Sequence, residues 1–482
     1  MEVYVLLTFI SKALTVILAF IQSLSGTFSF IQTPQRLWVD DSVTYQTFEN
    51  FGTSSAWWAQ TVDDEATARE IARALFDDET GLGLDVFRYN VGGGEADNPS
   101  TRIGDVRRRT ESFYVFNSET GEYEYDFTRD ANARRMLDFA LEYGAQEVIL
   151  FANSPHYSMT VSGQASGNLE SGVDNLPKEN YQTFVDYMLT IADWFVEQGY
   201  PVVAISPVNE PMWGWGGGWV GQEGCHYSPE SMVEVLELFA LTMQERGTPY
   251  RLAAYECGQM DANYYYYTEA FFNSRILNEY CEYLDGHSYW MDHNINGKAE
   301  SRAWLDEKYP GKKIAMTEWC ELPLVIDSNT VDSGINMARV IIEDLTLFNA
   351  VSWQSWTAVN GDGLMDFNAD STLRYYNRYY AFKHFTSFIK PGSVRVQLED
   401  TYAEKSDIMS VAFKNGDETV IVVVNPNDGE RKIHFGGVYS ELERYTTDES
   451  KNCELTYSGK FKRQAVLSAK SINTFVLTEN EG

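Results

Sequence analysis

A chain of 482 residues, 44% apolar and 14% aromatic, is long enough to bury one large core and a smaller second one. Its 37 Lys and Arg stand against 70 Asp and Glu, and the formal charge of −33 argues against nucleic acid as a partner. The five cysteines form no CxxC pair and the six histidines no HExxH, so no metal and no cofactor is expected.

The chain starts "MEVYVLLTFISKALTVILAFIQSLSGTFSFIQ". Lys12 precedes an apolar segment, Ala13–Ile21, and "SLSG" offers small residues for cleavage, so residues 1–30 read as an export signal. The apolar stretch from Val3 leaves an uncleaved membrane anchor as the alternative. Both readings make the protein secreted or held at the cell surface. The odd cysteine count leaves at least one thiol free or bonded between chains, and a monomer is expected.

"RLWVDDSVTYQ" (36–46) alternates apolar and polar residues and is expected to pair into a sheet at the other end of the chain. Eight β-like runs then follow at 43–52, 84–93, 147–155, 201–211, 251–257, 283–290, 312–320 and 350–359. Helical candidates lie between them. "DDEATAREIARALFD" opens on an acidic turn, "DANARRMLDFALEYG" stops on Gly144, and "SPESMVEVLELFALTMQERG" opens on Ser228-Pro229-Glu230 and stops on Gly247. "SGINMARVIIEDLTLFN" and "RYYNRYYAFKHFTSFIK" follow the seventh and eighth runs.

Eight strands, each followed by a helix, predict an α/β fold, a (β/α)8 TIM barrel over 36–390, in preference to an open doubly wound sheet. From Pro391 to the end at 482, alternating runs with Asn-Gly and Asn-Pro-Asn-Asp turns predict a C-terminal antiparallel β-sandwich, joined to the barrel's start by the N-terminal strand.

Chemistry concentrates where apolar runs end. Glu210 closes the fourth run in "SPVNEP" and Glu318 the seventh in "AMTEW". Two carboxylates facing one another on the rim of a barrel are what glycosidic cleavage needs, one as acid and one as nucleophile. The loop behind Glu210, "PMWGWGGGWVGQEGC", places Met212, Trp213, Trp215 and Trp219 among glycines, an arrangement suited to flat contacts with sugar rings.

These motifs identify a resemblance. "FGTSSAWWA", "FRYNVGGG", "ANSPHYSM", "SPVNEP", "HSYW", "TEW", "WQSW" and "HFTSFIKPGSVRV", in that order across 36–480, resemble glycoside hydrolase family 30 of clan A. The resemblance implies Glu210 as acid/base, Glu318 as nucleophile and retention of configuration. It implies Arg88 beneath the nucleophile and Asn209 at the sugar 2-hydroxyl. Tyr289 would stand beside the nucleophile with His287 on the same face, and Trp356 would floor the cleaved subsite. Tyr157 follows "SPH" where many relatives read Ser-Pro-Pro, so His156 is a departure at that wall. The loop Trp213–Cys225 is most similar to the endo-β-1,6-galactanase branch, and it offers Glu223 where a glucuronoxylanase would present basic residues. The implied partner is a polysaccharide or oligosaccharide, foremost β-1,6-galactan or arabinogalactan side chains. A β-1,6-glucanase, a glucosylceramidase or β-glucosidase and a xylanase remain alternatives within the family. A non-catalytic carbohydrate-binding protein is the alternative from another class.

Overall fold

The computed structural model describes residues 35–400 and 408–479; the export-signal expectation lies outside these residues. No described helix is long and apolar enough to cross a membrane. All five cysteines are free thiols.

Eight parallel strands form the barrel: Asn50–Ser54, Val86–Asn90, Glu147–Phe151, Val202–Ser206, Arg251–Leu252, Tyr283–His287, Lys313–Glu318 and Ser352–Ser355. The first strand pairs with both the eighth and the second, Asn50 opposite Ser352 and Ser54 opposite Arg88. The fourth and fifth strands pair again through short extensions, Val208–Asn209 beside Tyr255–Glu256, and the end of the latter closes the barrel onto the sixth strand. There Cys257 N–H donates to Asp285 O at 3.0 Å and His287 N–H to Cys257 O at 2.8 Å.

The helices begin and end where the sequence signals stand. Asp64 caps helix Glu65–Phe76 by accepting from Thr67 N–H, and Ser228 caps Pro229–Arg246 by accepting from Ser231 N–H. Gly247 closes the latter helix at φ 65°, a left-handed conformation that favours glycine. The last barrel helix spans Asn377–Thr386, starting later than "RYYNRYY" suggests, because Leu373–Tyr375 pairs antiparallel with Met365–Phe367.

The first β-like run, 43–52, is divided between two sheets. Residues up to Thr47 belong to strand Gln35–Thr47, which lies antiparallel to Val394–Asp400 and parallel to Arg431–Phe435 in a nine-stranded sheet. The barrel strand begins at Asn50. Phe48 separates the two: it is fully buried, packs on Phe51 and Phe413 at 4.3 and 6.0 Å, and turns the chain from one sheet into the other.

Strand Glu418–Asn425, "ETVIVVVN", explains why that sheet carries an unbroken apolar run. Val420, Val422 and Val424 face the core shared with the barrel, while Ile421 and Val423 face the sandwich's own core with Leu37, Phe435 and Phe475. His384, from the last barrel helix, is buried at the same junction between Thr474 Oγ1 at 2.8 Å and Thr447 Oγ1 at 2.9 Å.

Candidate active site

Glu210 and Glu318 are delivered to the same place by strands that end there. Glu210 directly follows Val208–Asn209, and Glu318 is the last residue of its strand. The two carboxylates and His287 each offer an atom within 4.8 Å of the others. Atoms that close are compatible with the retaining arrangement, about 5–5.5 Å between carboxyl groups, and fall short of the roughly 6.5–9.5 Å that inversion requires.

Glu210 has φ 46°, an unusual backbone conformation for a residue with a side chain. It is held from both sides. Its N–H donates to Glu256 O at 2.9 Å, and the Trp215 indole donates to its carbonyl at 2.9 Å.

Beneath the pair lies a buried charge network. Arg88, from the second strand, donates to Glu318 at 3.1 Å and to Glu256 at 2.9 Å, with its guanidinium 3.6 Å from the Phe151 ring centroid. Glu256 also accepts from Ser206 and Thr317 at 2.5 Å each and lies 3.0 Å from His287 Nε2. The other ring nitrogen of His287, Nδ1, lies 2.9 Å from Glu210 Oε1.

The network sets the protonation. Burial opposes charge on His287, but Glu318, Glu210 and Glu256 outweigh it and hold the imidazole up to about 10. Burial likewise opposes ionisation of Glu256, yet Arg88 and His287 keep it well below the usual carboxylate range. Burial raises Glu318 to about 7; His287 and Arg88 pull it down, and Glu210 and Glu256 add to the rise. Glu210, His287 and Glu318 also have the composition of a metal site. While the imidazole is protonated, both its N–H groups face carboxylates and it has no lone pair to offer a cation.

A cavity of about 340 Å³ opens above the pair, lined by Trp213, Trp215, Trp219, Tyr289, Trp290 and Trp356, among others. Trp356 packs edge-on to Trp57 at 5.1 Å and forms the floor beside Arg88. The Tyr289 hydroxyl sits 3.6 Å from Cys320 Sγ, and its ring meets His287 edge-on. Asn209 donates to Asn153 at 3.2 Å, and its buried Oδ1 has no partner among the described residues.

The aromatic loop divides in two. Trp219 is 51% exposed, whereas Trp215 is buried against Gly224, where even a Cβ would come within 2.3 Å of the indole. Trp213 packs on Tyr264 at 5.3 Å. Glu223 is fully buried rather than presented to the cleft: it accepts from Gly93 N–H at 3.1 Å and from the Thr110 hydroxyl. Tyr157 does not line the cavity over the pair but a separate groove with Tyr114 and Tyr123. His156 is buried beside it, bonded to Ser158 Oγ at 2.8 Å, and burial pushes its ring down to about 3.

Sequence reasoning missed Glu256 and Trp290. Glu256 had the same signal as its two partners, a Glu at the end of an apolar run in "RLAAYEC". Trp290 stood in "HSYW"; at φ 62° and 56% exposed it projects at the rim of the cleft.

Comparison with known proteins follows the same lines. The family model of O-glycosyl hydrolase family 30 matches residues 34–368, and that of the glycosyl hydrolase family 30 beta sandwich domain matches 392–475. An endo-beta-1,6-galactanase from Hypocrea rufa is 26% identical over 407 residues, covering 80% of each chain. Among solved structures, a conserved exported protein from Bacteroides fragilis superposes with TM-score 0.81 at 23% identity, over 91% of this chain and 99% of that one. The catalytic domain of xylanase C from Talaromyces cellulolyticus superposes with TM-score 0.70 at 19% identity, over 92% and 100%.

Proposed function

The chain belongs to O-glycosyl hydrolase family 30 and is a glycoside hydrolase, and from that premise we propose that it is a retaining endo-β-1,6-galactanase with Glu318 as nucleophile and Glu210 as acid/base. The observation that carries the mechanism is the carboxylate pair, with atoms within 4.8 Å of one another over a buried cation. Arg88 touches Glu318 and not Glu210, so it favours the ionised form on Glu318, the nucleophile.

In the first step the Glu318 carboxylate attacks the anomeric carbon while Glu210 gives its proton to the departing glycosidic oxygen. The bond from carbon to that oxygen breaks and a glycosyl ester forms on Glu318. Glu210, now ionised, removes a proton from a water that attacks the ester, and the sugar leaves with its original configuration. His287 holds Glu210 Oε1, leaving the other oxygen for the glycosidic bond, and its charge stabilises the carboxylate left after proton transfer. The unpartnered Oδ1 of Asn209 suits the sugar 2-hydroxyl.

The substrate assignment rests on the likeness to the Hypocrea rufa galactanase over most of the chain and on the aromatic loop. A 1,6 linkage adds a rotatable bond per residue, so the chain is best held by several open aromatic faces, here Trp219 and Trp290 at the rim. Such a polymer lies outside cells, which agrees with the export expected from the sequence. The test is incubation with β-1,6-galactan, β-1,6-glucan, glucuronoxylan and aryl β-glycosides, with products sized and their anomeric configuration followed by proton NMR. Oligosaccharides of retained configuration from β-1,6-galactan support the reading. Release from glucan or xylan alone removes the galactanase assignment, and an inverted product removes the nucleophile.

A further inference from the structure

The loop after the second barrel strand carries a hairpin that the catalytic chemistry does not use, Tyr114–Asn117 paired antiparallel with Glu122–Tyr125. A two-stranded hairpin is marginal in water by itself. Here it is anchored at one end, where Tyr125 stacks on Phe127 at 5.8 Å and Phe127 on Trp194 at 4.6 Å. Tyr114, opposite Tyr125, stacks diagonally across the strands on Tyr123 at 5.2 Å, and the Tyr123 hydroxyl lies 3.3 Å from that of Tyr157.

Between the hairpin and the third-strand loop is a groove of about 910 Å³, against about 340 Å³ above the catalytic pair. Tyr114, Phe116, Tyr123 and Tyr157 supply its aromatic wall, and Phe116 is 54% exposed. Of its charged groups, Arg129 pairs with Asp97, and Asp126 accepts from the neutral Thr128 hydroxyl, which leaves the lining one net negative charge. That charge disfavours an acidic ligand and leaves a neutral one free to bind. What the groove offers is flat aromatic surface with polar groups at its edge, the combination that packs on the C–H face of a sugar and meets its hydroxyls. Its loops follow the C-terminal ends of the second and third strands, so it opens on the barrel face that also carries Glu210 and Glu318.

We propose that this groove is a second binding site for a neutral polysaccharide chain, separate from the cavity where the bond is cut. The inference rests on the reading that the enzyme acts on polysaccharide, and it adds a hold on the polymer that a short substrate does not use.

The test starts from Glu318→Gln, so that polymer is bound and not consumed, and adds Phe116→Ala or Phe116→Trp. Affinity electrophoresis is run with soluble β-1,6-galactan, β-1,6-glucan and xylan, and turnover of an aryl β-glycoside is measured on the same Phe116 variants with Glu318 intact. Loss of one stacking ring predicts a roughly three- to ten-fold weaker Kd for whichever polymer the wild type cleaves, restored by Trp, with aryl glycoside kinetics unchanged. Equal affinity of Phe116→Ala and its parent for that polymer overturns the proposal. So does a parallel loss on the aryl glycoside, which would place Phe116 in the catalytic cavity. If the wild type spares galactan and cuts another polymer, the substrate assignment fails by itself and the Phe116 comparison is decided on that polymer.

Discussion

Arg88 and Glu256, from the second and fifth barrel strands, form an ion pair of 2.9 Å in which neither side chain is reached by water. Glu256 also meets His287, so one buried carboxylate holds both the cation under the nucleophile and the imidazole beside the acid/base. Removing one partner of a buried pair strands the other, at a cost of about 3–5 kcal/mol. Glu256→Gln should therefore lower thermal stability by that order. It should also lower the His287 pKa and shift the pH profile of kcat/KM, a change that a purely structural role would not bring. Full activity with an unchanged profile would show that the network does not govern the site.

Burial raises the Glu318 carboxyl to about 7, which has a consequence for rate. Glu318 attacks as the carboxylate, so kcat/KM should rise as pH rises through about 7. Glu210→Ala should lose roughly 10²–10⁴-fold on natural substrate and much less on an aryl glycoside with a good leaving group. Glu318→Ala should be inactive on both, and circular dichroism should show both variants folded. Equal losses on natural and activated substrates for Glu210→Ala would remove its role as acid.

The two tryptophans of the active-site loop should behave oppositely. Trp219 stands open at the rim, so Trp219→Ala should raise KM for long oligosaccharides, leave kcat nearly unchanged and cost little stability. Trp215 is buried and holds the Glu210 carbonyl in place. Its replacement by Ala should cost about 3–5 kcal/mol and lower kcat even on short substrates. Steady-state kinetics on a ladder of oligosaccharides separates the two, and a Trp215→Ala variant altered only in KM for long chains would contradict this division.

Much of this was legible in the sequence, and the reason is the barrel itself. An apolar run that ends in Glu delivers that Glu to the C-terminal face, so Glu210 and Glu318 could be placed without coordinates, and His287 followed from its position on the sixth strand. The split of 43–52 between two sheets was not legible, since Val43–Thr47 alternates like the strand it was assigned to and the division depends on Phe48 finding Phe51 and Phe413. Tyr157, Trp215 and Glu223 sit on loops, where residue type signals a capacity and tertiary packing decides its use. An aromatic ring after "SPH" can face either of two cavities, and here it faces the hairpin groove. The turn in "YVFNSETGEYEY" could have been read as a hairpin, but its neighbours could not.

Glu223 gives the loop a pH dependence of its own. Burial raises its carboxyl to about 8, with Thr110 and Gly93 pulling it down and Glu95 adding to the rise. An acid whose folded pKa lies above its unfolded value binds more protons in the folded state between the two. Stability is then full below the unfolded pKa, about 4.3, and is lost as pH rises towards 8, by at most about 1.4 kcal/mol per pH unit. Gln at this position keeps a carbonyl for Gly93 N–H and cannot ionise. Glu223→Gln should thus match the wild type near pH 5 and gain on it steadily up to pH 8, above which the difference levels off because the wild-type carboxyl is charged in both states. Urea unfolding across that range measures the difference directly. A Glu223→Gln variant that is less stable than the wild type at every pH, by a constant amount, would mean that the carboxyl is ionised in the folded protein throughout and that burial does not control it.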